Sequence, residues 1–130
     1  MLKPSSLLSI LVTEMPTKLL LCDTSDGVAQ LQYALLKSGI EFETEVGTDG
    51  FRGVELSARI QPNVIVCEPF LEGLSGVELV RRLIGTAPGA KVICWTSVSA
   101  PEPVAELLGI GAHGYLLKEE GPESVIQAIH

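Results

Sequence analysis

Five short apolar runs recur along the chain, and each has the length of a β-strand. Four of them are almost continuously apolar, which is typical of strands that are buried on both faces of a sheet. The second run alternates apolar and polar residues, so it predicts an edge strand with one solvated face. The predicted strands are Lys18–Cys22, Phe42–Val46, Val64–Cys67, Val92–Thr96 and Tyr115–Leu117.

Apolar residues at helical spacing occupy the segments between these runs. Val28, Leu31 and Leu35 predict a first helix that extends to about Lys37, and Asp26 is interpreted as its cap. Three further helices are predicted from their inner positions, which are Phe51, Val54 and Ala58 in the second, Val77, Val80, Leu83 and Ile84 in the third, and Val104, Leu107 and Leu108 in the fourth.

We expect the last predicted helix, Glu123–His130, to be truncated. It has barely two turns, and its pattern is still apolar at Ile129. A helix this short is marginal by itself, so we expect the native chain to continue beyond it.

Strands that alternate with helices predict an α/β fold with a parallel sheet, right-handed crossovers and helices on both faces. With the alternating second strand at an edge, the pattern fits a flavodoxin-like (βα)5 doubly wound sheet of strand order 2-1-3-4-5. The cleft of such a sheet lies at the carboxyl ends of strands one and three.

The first residues of the chain stand outside this repeat. We interpret residues 1–16 as an N-terminal extension, disordered or loosely packed, and residues 17–130 as the domain. The patch Leu7–Val12 faintly resembles a signal peptide, but Ser9 interrupts it and no small-x-small cleavage site follows. Met15 offers a second possible start.

Composition narrows the class of protein. The net charge is −7 and the basic residues are scattered, which argues against a nucleic-acid or anionic-membrane surface. Cys22, Cys67 and Cys94 each lie in an apolar run and lack zinc-site spacing, so we expect buried free thiols in a reducing, cytoplasmic compartment. No run approaches transmembrane length, so no membrane partner is expected.

Polar side chains follow the predicted strands where each strand ends. Because these ends meet at one edge of the sheet, we expect two acids, two hydroxyls and an amine to converge there. Glu68 is the central candidate, and it either carries function, caps the next turn or pairs with a lysine. His113 is interpreted as a loop residue. The sequence shows no nucleophile–base pair of the kind used in covalent catalysis, so we do not expect an enzyme. The converging residues are Asp23, Thr24, Glu68, Thr96 and Lys118.

Two stretches carry a family resemblance, PNVIVCEPFLEGLSGVELVRRL around strand three and GAHGYLLKE around strand five. Together with Asp23 after strand one and Thr96 after strand four, they resemble the receiver domain of two-component response regulators. The GYLLK form is most similar to receivers of NarL/LuxR-type transcriptional regulators. The resemblance covers about residues 17–130.

The resemblance implies a role for each of these positions. Glu68 stands where the family has its phosphoacceptor Asp, and Asp23 and Thr24 stand where it has a Mg²⁺-binding acidic pair. Thr96 and Tyr115 match the switch threonine and aromatic residue. Lys118 matches the lysine that contacts the phosphoryl oxygens.

Two departures from the family pattern act against phosphoryl transfer. Glu68 places its carboxylate one methylene further out than Asp, and in-line transfer tolerates misplacement badly. Thr24 removes a carboxylate from a hard-cation site that already uses few. We therefore expect no cofactor, or at most a weak Mg²⁺ site at Asp23 and Glu68.

The resulting hypothesis is an atypical receiver, or pseudo-receiver, that acts independently of phosphorylation. Glu68 would pair with Lys118 and imitate the phosphorylated state; a purely structural ion pair in a scaffold domain stays open. The alternatives are a receiver that is still phosphorylated, and a small-molecule sensor that uses the same cleft, with Trp95 as its fluorescent reporter.

Partners follow from the resemblance alone. It implies a homodimer through the face formed by helix four, strand five and helix five, which includes Val104 and Tyr115. A histidine kinase or another protein would act upstream, and DNA would be bound only through an output domain that is not part of this sequence.

Overall fold

The computed structural model describes residues 16–129, so the expectations for residues 1–15 and for His130 lie outside the described part. Within it, five strands alternate with five α-helices, and a 3-10 turn, Lys118–Glu120, follows the last strand. The strands are β1 Thr17–Cys22, β2 Phe42–Gly47, β3 Val64–Cys67, β4 Lys91–Thr96 and β5 Gly114–Leu117. The helices are α1 Ser25–Ser38, α2 Gly50–Ile60, α3 Gly76–Thr86, α4 Pro101–Gly109 and α5 Glu123–Ile129.

The strands form one parallel sheet in the order β2-β1-β3-β4-β5, as predicted. Its register aligns Cys22 with Cys67 and Cys67 with Cys94 across the three central strands. The residues that follow these cysteines therefore leave the sheet at the same edge. This alignment places Asp23 beside Glu68.

The side chains of the sheet divide between two cores because successive residues of a strand point to opposite faces. One core packs the sheet against α2, α3 and α4, and includes Leu56, Leu83 and Leu107. The other packs it against α1 and α5, and includes Leu31 and Val125. The domain is thus a three-layer α/β/α sandwich, the flavodoxin-like arrangement predicted from the pattern.

The second helix exists where it was predicted, but of its three predicted inner residues only Val54 packs against the core. Phe51 is 60% exposed and Ala58 is also exposed, whereas Gly53 and Leu56 are buried. The reason is a close approach, because a Cβ on Gly53 would collide with Sγ of Cys22. Packing of the bare α2 backbone on β1 turns Phe51 outward.

The fourth helix is also less buried than predicted. Leu107 is buried and Val104 is half-buried, but Leu108 is 42% exposed. Successive helical residues differ by about 100° in direction, so a short helix that covers only the margin of the sheet buries Leu107 and turns Leu108 outward.

Among residues 16–129, no helix is long and apolar enough to cross a membrane. The three cysteines are free and buried, as predicted. His113 lies in the loop before β5, where its Nδ1 accepts a hydrogen bond of 3.0 Å from the backbone N–H of Val92.

Candidate functional site

Two of the predicted site residues, Asp23 and Glu68, lie against the ammonium group of a third, Lys118. Nζ of Lys118 lies 2.9 Å from Oδ1 of Asp23 and 3.3 Å from Oε1 of Glu68. It also lies 5.1 Å from the centroid of the Trp95 ring. The exposed fractions of the three charged side chains are 18% for Lys118, 1% for Asp23 and 13% for Glu68. The site is therefore a largely buried triad of two carboxylates and one amine.

Asp23 makes most of its contacts through one carboxylate oxygen. Oδ1 accepts hydrogen bonds from the backbone N–H of Thr24 at 2.6 Å and from its hydroxyl at 3.2 Å, in addition to the bond from Lys118. Oδ2 is buried and has no hydrogen-bond partner among the described residues. The carboxylate lies against Gly27, which is in the first turn of α1.

Thr24 is the N-cap of α1, where its hydroxyl oxygen accepts a hydrogen bond of 3.2 Å from the backbone N–H of Gly27. The interpretation of Asp26 as the cap was wrong. Asp26 is in the first turn, and its Oδ2 accepts a hydrogen bond of 3.1 Å from Nε2 of Gln30. Threonine can cap a helix as aspartate does. Thr24 therefore still caps the start of α1, but it carries no negative charge.

Glu68 combines both of the local roles considered for it. Its Oε1 contacts Lys118, and its Oε2 accepts a hydrogen bond of 3.4 Å from the backbone N–H of Phe70 in the following turn. Its own backbone N–H donates to the carbonyl of Cys22 at 2.8 Å, which continues the β1–β3 ladder by one residue. Each of the two carboxylate oxygens of Glu68 thus has a partner, Lys118 for Oε1 and the backbone of Phe70 for Oε2.

Thr96 and Tyr115 meet at the loop that follows β4. The hydroxyl of buried Thr96 accepts a hydrogen bond of 3.4 Å from the backbone N–H of Val98. The hydroxyl of Tyr115 donates a bond of 2.5 Å to the carbonyl of the same residue. Burial, with smaller effects of Cys94 and Glu68, raises the pKa of Tyr115 above its usual value. Both predicted switch residues therefore hold the β4–α4 loop.

The in-register cysteines form a row beneath the triad. A hydrogen bond with Cys22, together with burial, raises the pKa of Cys67. Burial, with a smaller effect of Glu68, raises the pKa of Cys94 to about 12. These thiols are protonated near neutral pH, so they act as small apolar side chains under the site.

The donor atoms of the site fit Mg²⁺ poorly. Among residues 16–129, no cluster of three or more acidic, histidine or cysteine side chains could hold a metal ion. Asp23 and Glu68 supply two carboxylates, but the ammonium of Lys118 lies against both and the hydroxyl of Thr24 caps α1. A divalent cation would have to displace the ammonium group of Lys118 from the two carboxylates.

Two contributors to the site were missed from the sequence. Trp95 was expected as a core residue and, in the sensor alternative, as a reporter of the cleft; it is fully buried, and its contact with Lys118 was not predicted. Gly27 was given no role. The alternation along β4 places Trp95 on the face of the sheet that packs against α1 and α5, and this was the one available sequence signal for its position. Nothing in the sequence marks the contact of Gly27 with Asp23.

The model of the response regulator receiver domain family matches residues 19–130. The nitrate/nitrite response regulator protein NarP of Escherichia coli is 35% identical over 103 residues, which cover 79% of this chain and 46% of NarP. The transcriptional regulatory protein DegU of Brevibacillus brevis is 37% identical over 90 residues, which cover 68% of this chain and 38% of DegU. The chain thus spans about half or less of the length of these relatives.

Solved structures agree on the fold. A CheY-like response regulator receiver domain protein from Methanospirillum hungatei superposes with a TM-score of 0.79 at 22% identity, over 88% of this chain and 91% of that one. CheY in the CheX-CheY-BeF3-Mg²⁺ complex of Borrelia burgdorferi gives a TM-score of 0.81 at 18% identity, over 92% and 90% of the two chains. With the family model matching most of its length and NarP and DegU among its relatives, the chain belongs to the response regulator receiver domain family, as its NarL/LuxR-type motifs predicted.

Proposed function

We propose that this receiver domain works as a signalling and dimerisation module that does not depend on phosphorylation of the carboxylate after β3. The observation that supports this proposal is the contact of 3.3 Å between Glu68 and Lys118. In the receiver family the lysine at this position binds a phosphoryl oxygen of the activated domain. Here the carboxylate of Glu68 supplies the negative charge instead.

The length of the glutamate side chain supports this function over phosphoryl transfer. The additional methylene extends the reach of the carboxylate toward Lys118, with which it forms an ion pair at 3.3 Å. The same methylene would displace an acyl phosphate from the positions of Lys118 and Thr96, and phosphoryl transfer depends on alignment. The absence of a second carboxylate at Thr24 further weakens the cation site that the transfer needs.

The proposed output surface is the face of α4, β5 and α5. β5 is one of the two edge strands of the sheet, pairs only with β4 in the described structure, and has four half-buried residues. Tyr115 on this strand binds the β4–α4 loop through Val98, so the surface is connected to the site. We propose that this face forms the homodimer. We further propose that a histidine kinase or another protein is the upstream partner and that DNA is bound only through an output domain that is not part of this sequence.

A small-molecule sensor is less well supported. A cavity of about 300 Å³ lies between α1 and α5 and is lined by Ala34, Lys37 and Ile126. None of the predicted site residues lines it.

The phosphorylation test compares the wild-type chain with the variant that carries both Glu68→Asp and Thr24→Asp. Each protein is incubated with Mg²⁺ and acetyl phosphate, and its intact mass is measured. We expect no increase of 80 Da in the wild-type protein. A metal-dependent increase of that size in the wild-type chain would overturn the proposal, whether Glu68 or a neighbouring hydroxyl is the acceptor.

The dimer test uses one substitution on the proposed face and one elsewhere. Leu108 on α4 is 42% exposed, and Leu36 on α1 is 80% exposed. Leu108→Glu should convert the wild-type dimer to a monomer in light scattering, whereas Leu36→Glu should leave it unchanged. A monomeric wild-type protein, or equal effects of the two variants, would contradict the proposed interface.

A further inference from the structure

Gly27 lies where any side chain would collide with Asp23. A Cβ at this position would lie 2.5 Å from Cγ, 2.5 Å from Oδ1 and 2.6 Å from Oδ2 of Asp23. Real Cβ atoms essentially never approach other atoms so closely. The observed orientation of the Asp23 carboxylate therefore requires a glycine in the first turn of α1.

This orientation gives the two carboxylate oxygens different surroundings. Oδ1 accepts hydrogen bonds from Lys118 and from two donor groups of Thr24, whereas Oδ2 points into the protein, is buried and has no partner among the described residues. An unpartnered buried carboxylate oxygen is unfavourable. The hydrogen bonds to Oδ1 fix the carboxylate in this orientation, and the missing side chain of Gly27 leaves the room that the orientation needs.

We propose that Gly27 is a positioning residue that commits Asp23 to Lys118 rather than to a divalent cation. With Oδ1 occupied by three donors and Oδ2 facing inward, Asp23 offers no free oxygen to the cleft. This proposal rests on the phosphorylation-independent function proposed above. It adds Gly27 in α1 to Glu68 and Thr24 as a cause of weak cation binding.

The test is a double-mutant cycle measured by urea unfolding, which involves no phosphorylation. Gly27→Ala is expected to fold because alanine favours a helix and because the group it meets is the end of a rotatable side chain. Once Asp23 has turned away, Lys118→Met should lower the urea midpoint by less than half as much as it does in the wild-type protein. Equal losses in the two backgrounds would overturn the proposal.

Gly85→Ala is the matched control. Gly85 is also a helical glycine, in α3, and a Cβ there would meet nothing within 4 Å. The effect of Lys118→Met should be the same in the Gly85→Ala background as in the wild-type protein. A reduction in this background equal to that in Gly27→Ala would mean that helix stability, not the position of Asp23, is responsible, and would overturn the proposal.

A second pair of variants covers the case in which Gly27→Ala does not fold. In the Asp23→Ala background the new Cβ meets no carboxylate, so Gly27→Ala should raise the urea midpoint. A fall in the midpoint in this background would show that Gly27 is needed for reasons other than Asp23, and would overturn the proposal.

The cation itself is tested in the Thr24→Asp, Glu68→Asp protein by titrating MgCl₂ and following Trp95 fluorescence. Addition of Gly27→Ala should tighten Mg²⁺ binding at least tenfold, whereas addition of Gly85→Ala should not. Equal affinities with and without Gly27→Ala would contradict the inference while leaving the function proposed for the wild-type chain intact.

Discussion

Lys118 and Asp23 are 95 residues apart in the sequence, yet Nζ of Lys118 lies 2.9 Å from Oδ1 of Asp23. This ion pair joins the ends of β1 and β5, the first and last strands of the fold. Because Asp23 is almost fully buried, its charge is stabilised chiefly by this lysine and by the donor groups of Thr24. This ion pair therefore contributes to the stability of the fold and also belongs to the candidate functional site.

Replacing Lys118 with Met should destabilise the protein strongly. The substitution leaves the carboxylates of Asp23 and Glu68 without their cation, and breaking a buried ion pair from one side costs about 3 kcal/mol. Urea unfolding at neutral pH measures the loss. Arg82→Met is the control, because Arg82 and Glu78 form an exposed pair whose removal costs under about 1 kcal/mol. Similar losses in the two variants would contradict the account.

The substitution Glu68→Gln should weaken the dimer. It keeps the size of the side chain but removes the charge that contacts Lys118, so the site no longer holds its charged arrangement. We expect the dimer dissociation constant to rise about tenfold, which corresponds to about 1.4 kcal/mol. Sedimentation equilibrium measures it, with Glu72→Gln in the exposed part of the same loop as the control. An unchanged constant would mean that the ion pair is only structural.

Tyr115→Phe should loosen the β4–α4 loop. The variant loses only the hydroxyl that donates to the carbonyl of Val98, and a hydrogen bond of this kind contributes about 1 kcal/mol. Amide hydrogen exchange of Ser97 and Val98 should become about five times faster. Tyr33→Phe, at a side chain that is 64% exposed, should leave these rates unchanged. Equal rates in wild type and Tyr115→Phe would show that Tyr115 does not hold the loop.

High pH should destabilise the domain through its buried thiols. The pKa of Cys94 is raised to about 12 from an ordinary value near 9, and the pKa of Cys67 is also raised. The folded protein therefore retains these protons where the unfolded chain has lost them. Their contribution to stability is complete below pH 9 and falls as the pH rises toward 12.

The measurement is the free energy of unfolding at pH 8 and pH 10.5, with reductant present. Above pH 9 the Cys94 thiol should contribute a decrease of about 1.4 kcal/mol per pH unit. Cys94→Ala should reduce this slope, although it lowers stability at both pH values. A slope that is the same in Cys94→Ala as in the wild-type protein would contradict the assignment.

The sheet could be predicted from the sequence because its signals are local. Continuous apolar runs marked the buried strands, and the alternation between Phe42 and Val46 marked the edge. Parallel pairing then brought Asp23, Glu68 and Lys118 together, since the ends of parallel strands share one edge. The same signals failed for the inner faces of α2 and α4, because packing at Gly53 and Leu107 decided which residues turned outward.

The detailed contacts of the site could not be predicted in this way. The orientation of Asp23 depends on the missing side chain of Gly27, which is four residues away on a helix. The contact of Lys118 with Trp95 depends on rotamers at two strand ends. Neither contact can be recognised from a sequence pattern, because each is determined by the packing of β1, β4 and β5 with α1.

The most direct test of phosphorylation independence is the response to beryllofluoride and Mg²⁺, which together imitate a phosphorylated aspartate. Trp95 fluorescence reports the site, because the Trp95 ring faces Lys118, and light scattering reports the dimer. We expect no Mg²⁺-dependent change in either signal for the wild-type protein. A saturable, Mg²⁺-dependent change in fluorescence with a shift in the dimer would show that the site still works as a phosphoacceptor, and would contradict the central claim.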